Sequence, residues 1–361
     1  MTAETSASGP EWLSPAALAD GEAHRPLLDG IGGVSEPLLL VDLDSRADPE
    51  VLARTVRAAR TCDRILVGVV TGDRRPPEEL ASALDLTLAP PDLAGSRRLA
   101  GTPDPEGDAR ILLAAANEAP QAALVLAGLL RGAGRQGVSA ELDAESLAYS
   151  TLLGGGEFRR WLERRGPRPL PPPAPRPPVL AERNGGRLHV TLNRPERRNA
   201  YGREVRDALV EALEVAALDD TVEQVVLDGA GPCFCSGGDL AEFGTAPDLA
   251  TAHFVRTRAG AGRLLHRLAD RVEARLHGSC VGAGIELPAF AGLVVAHPDT
   301  TFRLPEVGMG LIPGAGGTVS VPRRIGRWRT LLLALSGRAL DARTALAWGL
   351  VDALDDDAPS G

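Results

Sequence analysis

Three stretches in the second half of the chain bring small residues and carboxylates together in patterns that could do chemistry. GPCFCSGGDLAEFG (231–244) follows an apolar run and breaks into a Ser-Gly-Gly turn. Adjacent small residues let bare backbone N–H groups point outward. HGSCVGAGIEL (277–287) closes another apolar run and places Gly282, Ala283 and Gly284 at the opening of a predicted helix. Free N–H groups at a helix start stabilise developing negative charge. Glu286 stands in that first turn, where a carboxylate complementing the helix dipole is also a common structural feature. TFRLPEVGMGLIPGAGGTVSVPRRIG (301–326) carries Glu306 directly after Pro305, and proline restricts the backbone of its neighbour. Its GMGLIPGAGG run lacks the G-x-G-x-x-G spacing and does not sit at the first turn of a βαβ unit, which argues against dinucleotide binding.

Composition narrows the chemistry. The chain has 361 residues and a net charge of −9, and all 39 basic residues are arginine. Aromatics make up 3%, too few for base-stacking platforms, and the acidic balance argues against a phosphate-backbone binder. The four cysteines, Cys62, Cys233, Cys235 and Cys280, form no C-x-x-C pair and make no disulfide framework. The six histidines show no zinc-like spacing. His277 lies close to Cys280, a pairing that reads as packing. No metal or redox cofactor is expected. The first thirty residues lack a basic start followed by an apolar run. No stretch reaches the ~18 apolar residues of a membrane span. The expectation is a soluble cytoplasmic protein without nucleic-acid or membrane partners.

The elements that must position these stretches fall into two halves, as the length suggests. Residues 167–178 read PRPLPPPAPRPP, eight prolines in twelve, which favours an extended polyproline segment. The expected division is a flexible arm (1–35), an amino-terminal α/β region (36–166), a proline-rich linker (167–180), a second domain (181–355) and an acidic tail (356–361). In the first region, 37–44 and 64–70 read as buried strands around a helix at 48–60 that opens with Asp-Pro. Residues 111–134 read as a helix interrupted near Pro120, and 137–143 as a short strand. In the second half, 187–195, 222–230, 272–278 and 293–297 read as strands, with helices at 202–220 and 253–270. The β–α–β order of 187–230 echoes 37–70, which raises a degenerate internal duplication, although βαβ units also recur for physical reasons. Glu141, Glu145 and Glu157 read as solvated charges.

Taken in order, LNRPERRNA (192–200), FCSGGDL (234–240), GAGIEL (282–287), LPEVGMGLIPGAGGT (304–318) and IGRWRTLLLALSGRALDARTALAWGLVD (325–352) resemble the crotonase superfamily, the enoyl-CoA hydratase/isomerase family, over about residues 186–354. The resemblance implies an α/β fold, a spiral of ββα units, here preceded by a smaller α/β region for which two readings stand: a replacement for the missing cover, or a degenerate crotonase-like copy. It implies an oxyanion hole made by the backbone N–H groups of Ser236 and Ala283, which would hold a thioester carbonyl as its enolate develops. It assigns two catalytic carboxylates to Glu286 and Glu306, and substrate contacts to Gly237, Asp239, Gly282, Arg194, Arg197 and Arg198. The substrate would be a coenzyme A thioester, with no further cofactor. The leading expectation is hydration of an α,β-double bond. Isomerisation, thioester hydrolysis, the cofactor-independent dihydroxyphenylacetyl-CoA dioxygenase reaction and a catalytically degenerate partner subunit are the alternatives. The family assembles as trimers or dimers of trimers. The short acidic tail after GLVD leads to the expectation that the family's carboxy-terminal helical subdomain is missing, which bears on both the lid and the oligomer.

Overall fold

A computed structural model describes residues 12–356. It is an α/β structure that divides into two compact units, residues up to Ala127 and residues from Gly128 onward.

The first unit is built on a five-stranded sheet: β1 (Trp12–Leu13), β2 (Leu38–Asp42), β3 (Ile65–Val69), β4 (Leu86–Ala89) and β5 (Leu99–Gly101). Its strands lie side by side in chain order and every neighbouring pair is parallel. All five residues of β3 are buried, as a central strand of a parallel sheet requires. Its helices are α1 (Pro15–Ala19), α2 (Pro49–Thr61), α3 (Glu78–Ala83) and α4 (Pro105–Glu118), and α5 (Pro120–Gly132) runs across the division at Gly128. Asp48 caps α2 by accepting the Val51 N–H at 2.9 Å, and Pro49 takes the first helical position. The interruption expected near Pro120 falls at Ala119, whose φ of −133° leaves the helical region as a pre-proline residue tends to.

The expected flexible arm is corrected where the structure describes it; residues 1–11 of that arm lie outside the described residues. Ser14 caps α1, and Thr55 of α2 donates to the Pro15 carbonyl at 2.7 Å. The buried Arg64 guanidinium donates to the carbonyls of Arg25, Pro26 and Glu36. A buried guanidinium satisfied by three carbonyls fixes that stretch, because losing them would leave a desolvated charge.

The second unit begins with α6 (Val138–Leu153) and α7 (Gly156–Arg165). Then come β6 (Val179–Asn184), β7 (Arg187–Leu192), α8 (Arg203–Leu218), β8 (Gln224–Gly229), α9 (Leu249–Arg258), α10 (Gly262–Arg267) and β9 (Val272–Leu276). They are followed by β10 (Ser279–Val281), α11 (Ala283–Glu286), β11 (Leu293–Ala296), β12 (Thr301–Arg303), α12 (Gly317–Ile325), α13 (Arg327–Ser336), β13 (Leu340–Asp341), α14 (Ala342–Trp348) and β14 (Ala353–Leu354). The large sheet runs β14-β11-β9-β8-β7-β6, parallel throughout except at the β6–β7 hairpin. A small sheet, β10-β12-β13, stands apart from it.

Two expectations change here. Residues 137–143 are not a strand but the start of α6, whose buried Val138, Leu142, Glu145, Tyr149 and Leu152 recur at helical spacing. The chain divides near Gly128 rather than at the proline-rich segment. That segment is tied along the second unit: the Ala174 N–H donates to Glu204 at 3.1 Å, and Asn193 Nδ2 donates to the Pro177 carbonyl at 2.9 Å. It is a strap rather than a free spacer. The acidic tail lies outside the described residues beyond Asp356. Among the described residues, no single helix is long and apolar enough to cross a membrane.

Candidate active site

Strand β8 delivers the chain into the Ser-Gly-Gly turn. Buried Asn199 organises it by donating to the Ala230 and Cys233 carbonyls at 2.8 and 3.0 Å. The Phe234 N–H is held by the His277 carbonyl, and the Val281 N–H by the Cys235 carbonyl. The turn and β10 are thus laced together. A Cβ at Gly237, where φ is +97°, would stand 2.9 Å from the Val281 carbonyl oxygen, so this close approach needs glycine.

The turn corrects the expected oxyanion pair. The Ser236 N–H already donates to the Arg198 carbonyl at 3.0 Å. A committed donor cannot also meet an oxyanion at full strength. The Gly238 N–H, two residues on, donates to no protein acceptor among the described residues. The Ala283 N–H is likewise unspent: it is the first helical residue of α11, where intrahelical partners are lacking. Gly282 precedes it at φ +50° and spends its own N–H on the Arg303 carbonyl at 2.9 Å. Gly238 and Ala283 both line one cavity of about 680 Å³ in the second unit.

Glu286 and Glu306 line the same cavity and are 2% and 8% exposed. Glu286 leaves α11, and its Oε2 accepts the N–H groups of Ala315 at 2.7 Å and Gly317 at 2.9 Å. Glu306 opens a 3₁₀ turn (Glu306–Met309), and its Oε2 is buried without a hydrogen-bond partner. Their other oxygens converge. A Cβ built on Gly282 would lie 2.6 Å from Glu306 Oε1 and 3.6 Å from Glu286 Oε1. Burial pushes the Glu306 carboxyl up to about 8. Burial raises Glu286 well above the usual carboxylate range, with the neighbouring Glu306 and Glu145 adding to it against the two amide donors. Buried carboxyls this close hold protons as a group, because desolvated like charges repel.

The remaining expected contacts divide. Gly282 shapes the carboxylate pocket, and Asp239 lines the cavity while accepting a two-pronged ion pair from Arg197 at 2.7–3.1 Å. Arg194 is corrected as a substrate-binding residue. Its guanidinium is 6% exposed and spent on Glu196, Glu204 and the Pro172 carbonyl. Arg198 is exposed at left-handed φ (+52°), and its carbonyl is what occupies Ser236. None of the three arginines lines the cavity. Among the described residues, no group of three or more His, Cys, Asp or Glu side chains is placed to hold a metal ion.

The three glutamates expected to be solvated are buried. Glu145 of α6 is 2% exposed and lines the cavity beside Tyr149. A Cβ at Gly314 would run into the Tyr149 ring, so the tyrosine lies against the bare backbone of that loop. Arg256 of α9 stacks over the ring, 4.6 Å from its centroid. Glu141 is 9% exposed and pairs with Arg323 at 2.6 Å, and Glu157 is 7% exposed. The sequence signal for α6 is the 3–4 spacing of its apolar residues, which a window as short as GVSAELD does not display.

Comparison with known proteins matches residues 182–358 to the family described as enoyl-CoA hydratase/isomerase. The chain is 36% identical to the 1,2-epoxyphenylacetyl-CoA isomerase of Escherichia coli over 184 residues, covering 50% of this chain and 70% of that protein. It is 35% identical over 173 residues to the 2,3-dehydroadipyl-CoA hydratase of the same organism, covering 48% of this chain and 67% of that protein. Among solved structures, an enoyl-CoA hydratase from Mycobacterium smegmatis matches at 32% identity and a TM-score of 0.46, over 50% of this chain and 70% of that one.

Proposed function

This chain belongs to the enoyl-CoA hydratase/isomerase family, and from that premise we propose that it adds water across the α,β-double bond of an acyl-CoA thioester. The observation that carries the reading is the convergence of Glu286 Oε1 and Glu306 Oε1 on the space beside Gly282. Hydration is served by a base that takes a proton from water and an acid that gives one to carbon, and a pair of carboxyls in different protonation states can fill both roles.

In this reading the thioester oxygen accepts the N–H groups of Gly238 and Ala283. Donors fixed before the reaction cost no reorganisation as charge develops, and one such donor is typically worth about 3 kcal/mol. Glu286, whose Ala315 and Gly317 amide donors favour its anion against the burial that raises it, takes a proton from water in its ionised form. The water oxygen bonds to the β-carbon, and the π electrons move onto the thioester oxygen as an enolate. Glu306, whose buried Oε2 has no donor to favour its anion, gives its proton to the α-carbon as the carbonyl reforms. Proton exchange between the two carboxyls resets the site. Both relatives named above carry acyl-CoA compounds in their names, which supports a thioester substrate. No separate cofactor enters this scheme, and assembly as a trimer or dimer of trimers follows from the family resemblance alone.

The test is incubation with crotonyl-CoA and with an arylacetyl-CoA, following thioester absorbance, free thiol and oxygen uptake together. Loss of the conjugated absorbance without thiol release or oxygen uptake supports hydration. Thiol release would make the protein a hydrolase, and oxygen uptake with the aryl substrate would make it a dioxygenase. Silence with every substrate would favour a partner subunit.

A further inference from the structure

The family match begins at residue 182, yet a side chain from well before that point reaches the glutamate pocket. Helix α6 is fastened to the matched segment along its length. Arg323 pairs with Glu141 at 2.6 Å, Arg263 pairs with Asp143 at 2.7 Å, and Ser150 donates to the Leu249 carbonyl at 3.0 Å. Between these ties Glu145 turns inward. Its Oε1 accepts the Gly316 N–H at 2.8 Å. Its Oε2 accepts the Thr318 N–H at 2.8 Å and the Thr318 hydroxyl at 2.7 Å.

These bonds interleave with those of Glu286, which takes the Ala315 and Gly317 amides. Four consecutive N–H groups therefore alternate between two buried carboxyls. Gly316 lies at φ +106° in the middle of the turn, a conformation that glycine adopts without steric cost and that a side chain would strain. Within this unit the Glu286 carboxylate is thus oriented by a turn that Glu145 grips from the other side.

We infer that Glu145 is a positioning residue for the reaction, fixing the 315–318 turn on Glu286 and adding a third acidic group to the field around the Glu286–Glu306 pair. The inference deepens the hydration reading and rests on it for its kinetic arm. The charged and titratable groups facing Glu145 are Arg256 from α9, Tyr149 on its own helix, Glu286 from α11 and Glu306. His253 of α9 bonds the adjacent Ser146. Burial raises Glu145 to about 7 against the opposing Thr318 and Gly316 bonds and Arg256, and Glu145 in turn raises both Glu286 and Glu306.

The experiment is Glu145→Gln in the full chain, read in two ways. The first is hydrogen–deuterium exchange of the 315–318 amides without substrate. An amide side chain offers one acceptor and sets a donor against the turn, so exchange is expected to quicken at Ala315 and Gly317 as well as at Gly316 and Thr318. The second is the pH profile of hydration. With one negative neighbour removed, the acidic limb of kcat/KM should move to lower pH, while kcat falls by about tenfold and KM stays within about twofold. Faster exchange confined to Gly316 and Thr318, with the acidic limb unmoved, would overturn the inference. If the wild type hydrates nothing, the hydration reading fails, and the exchange pattern still decides the grip. Should Glu145→Gln fail to fold, Thr318→Val removes one hydroxyl donor from Glu145 and leaves all four amides. The same exchange pattern at smaller amplitude is then expected, and wild-type protection at Ala315 and Gly317 would overturn the inference.

Discussion

The two large sheets of this protein share an order and differ in what their turns do. In each, the parallel strands lie side by side in chain order: β1 to β5 in the first unit and β7, β8, β9, β11 and β14 in the second. In the first, the turn after β3 is closed by its own protein. Asp44 accepts the Thr71 N–H, the Thr71 hydroxyl and the Gly72 N–H. In the second, the turn after β8 leaves the Gly238 N–H unspent at the edge of a cavity that the equally unspent Ala283 also lines. One turn has its donors satisfied by a carboxylate of its own unit; the other leaves two donors unspent at a cavity, where the proposed function places an oxyanion. The same strand order thus carries two different turns, and the difference lies in a few turn residues rather than in the sheet.

That contrast predicts the largest effects in the second unit. Glu286→Gln and Glu306→Gln should each keep a cooperative fold and lower kcat by at least about 10²-fold, as expected for losing an acid or base group. Asp44→Asn should leave kcat within about twofold. Steady-state hydration rates check all three, and a large loss from Asp44→Asn would break the comparison.

Glycine substitutions sharpen it next. A Cβ on Gly284 would run into the Cys235 carbonyl oxygen, whereas one on Gly30 would meet nothing within 4 Å. Gly284→Ala should therefore destabilise by about 1–3 kcal/mol, as overpacking does. Gly30→Ala should stay within about 0.5 kcal/mol, the range of an unconstrained surface change. Urea unfolding of both variants measures the difference.

Much of the fold is legible in the amino-acid sequence. The β–α–β order at 37–70 and 187–230 is readable because Asp48-Pro49 marks a helix start and the flanking runs are continuously apolar. Glu286 and Glu306 are legible because short motifs fix their neighbours. Three features are not. Ser236 is what the family resemblance implies for the oxyanion hole, but the sequence does not show that the Arg198 carbonyl already holds that amide. Arg194 reads as an available cation because its burial against Glu204 and Pro172 depends on a strap some twenty residues away in the chain. Glu145 reads as solvated because its partners, Gly316 and Thr318, are more than 170 residues distant in the chain. Local patterning reports element type well, and it is blind to long-range hydrogen bonds.

Glu306 and Asp44, one carboxyl from each unit, should also titrate in opposite senses. Burial lifts Glu306 to about 8 in the folded state from an ordinary value of 4.5. A carboxyl raised on folding contributes stability that is fully present below pH 4.5 and is lost as pH rises through about 8. Glu306→Gln should flatten that alkaline decline in a series of urea midpoints. Asp44 is the smaller, contrary case. Burial pushes it up, but the bonds from Thr71 and Gly72 outweigh this and hold it below its usual range. Its contribution is present above pH 3.8 and fades as pH falls through the lowered value. Asp44→Asn should therefore soften the acid limb slightly and leave the alkaline one alone.

The most direct test of the central claim is the fate of solvent oxygen. An enoyl-CoA thioester is incubated without air in water labelled with heavy oxygen, and the acyl product is weighed by mass spectrometry for the wild type, Glu286→Gln and Glu306→Gln. The two-glutamate account predicts one solvent oxygen in the acyl chain of the wild-type product and its near absence in both variants. A rearranged acyl chain without solvent oxygen, or full label incorporation by both variants, would contradict it.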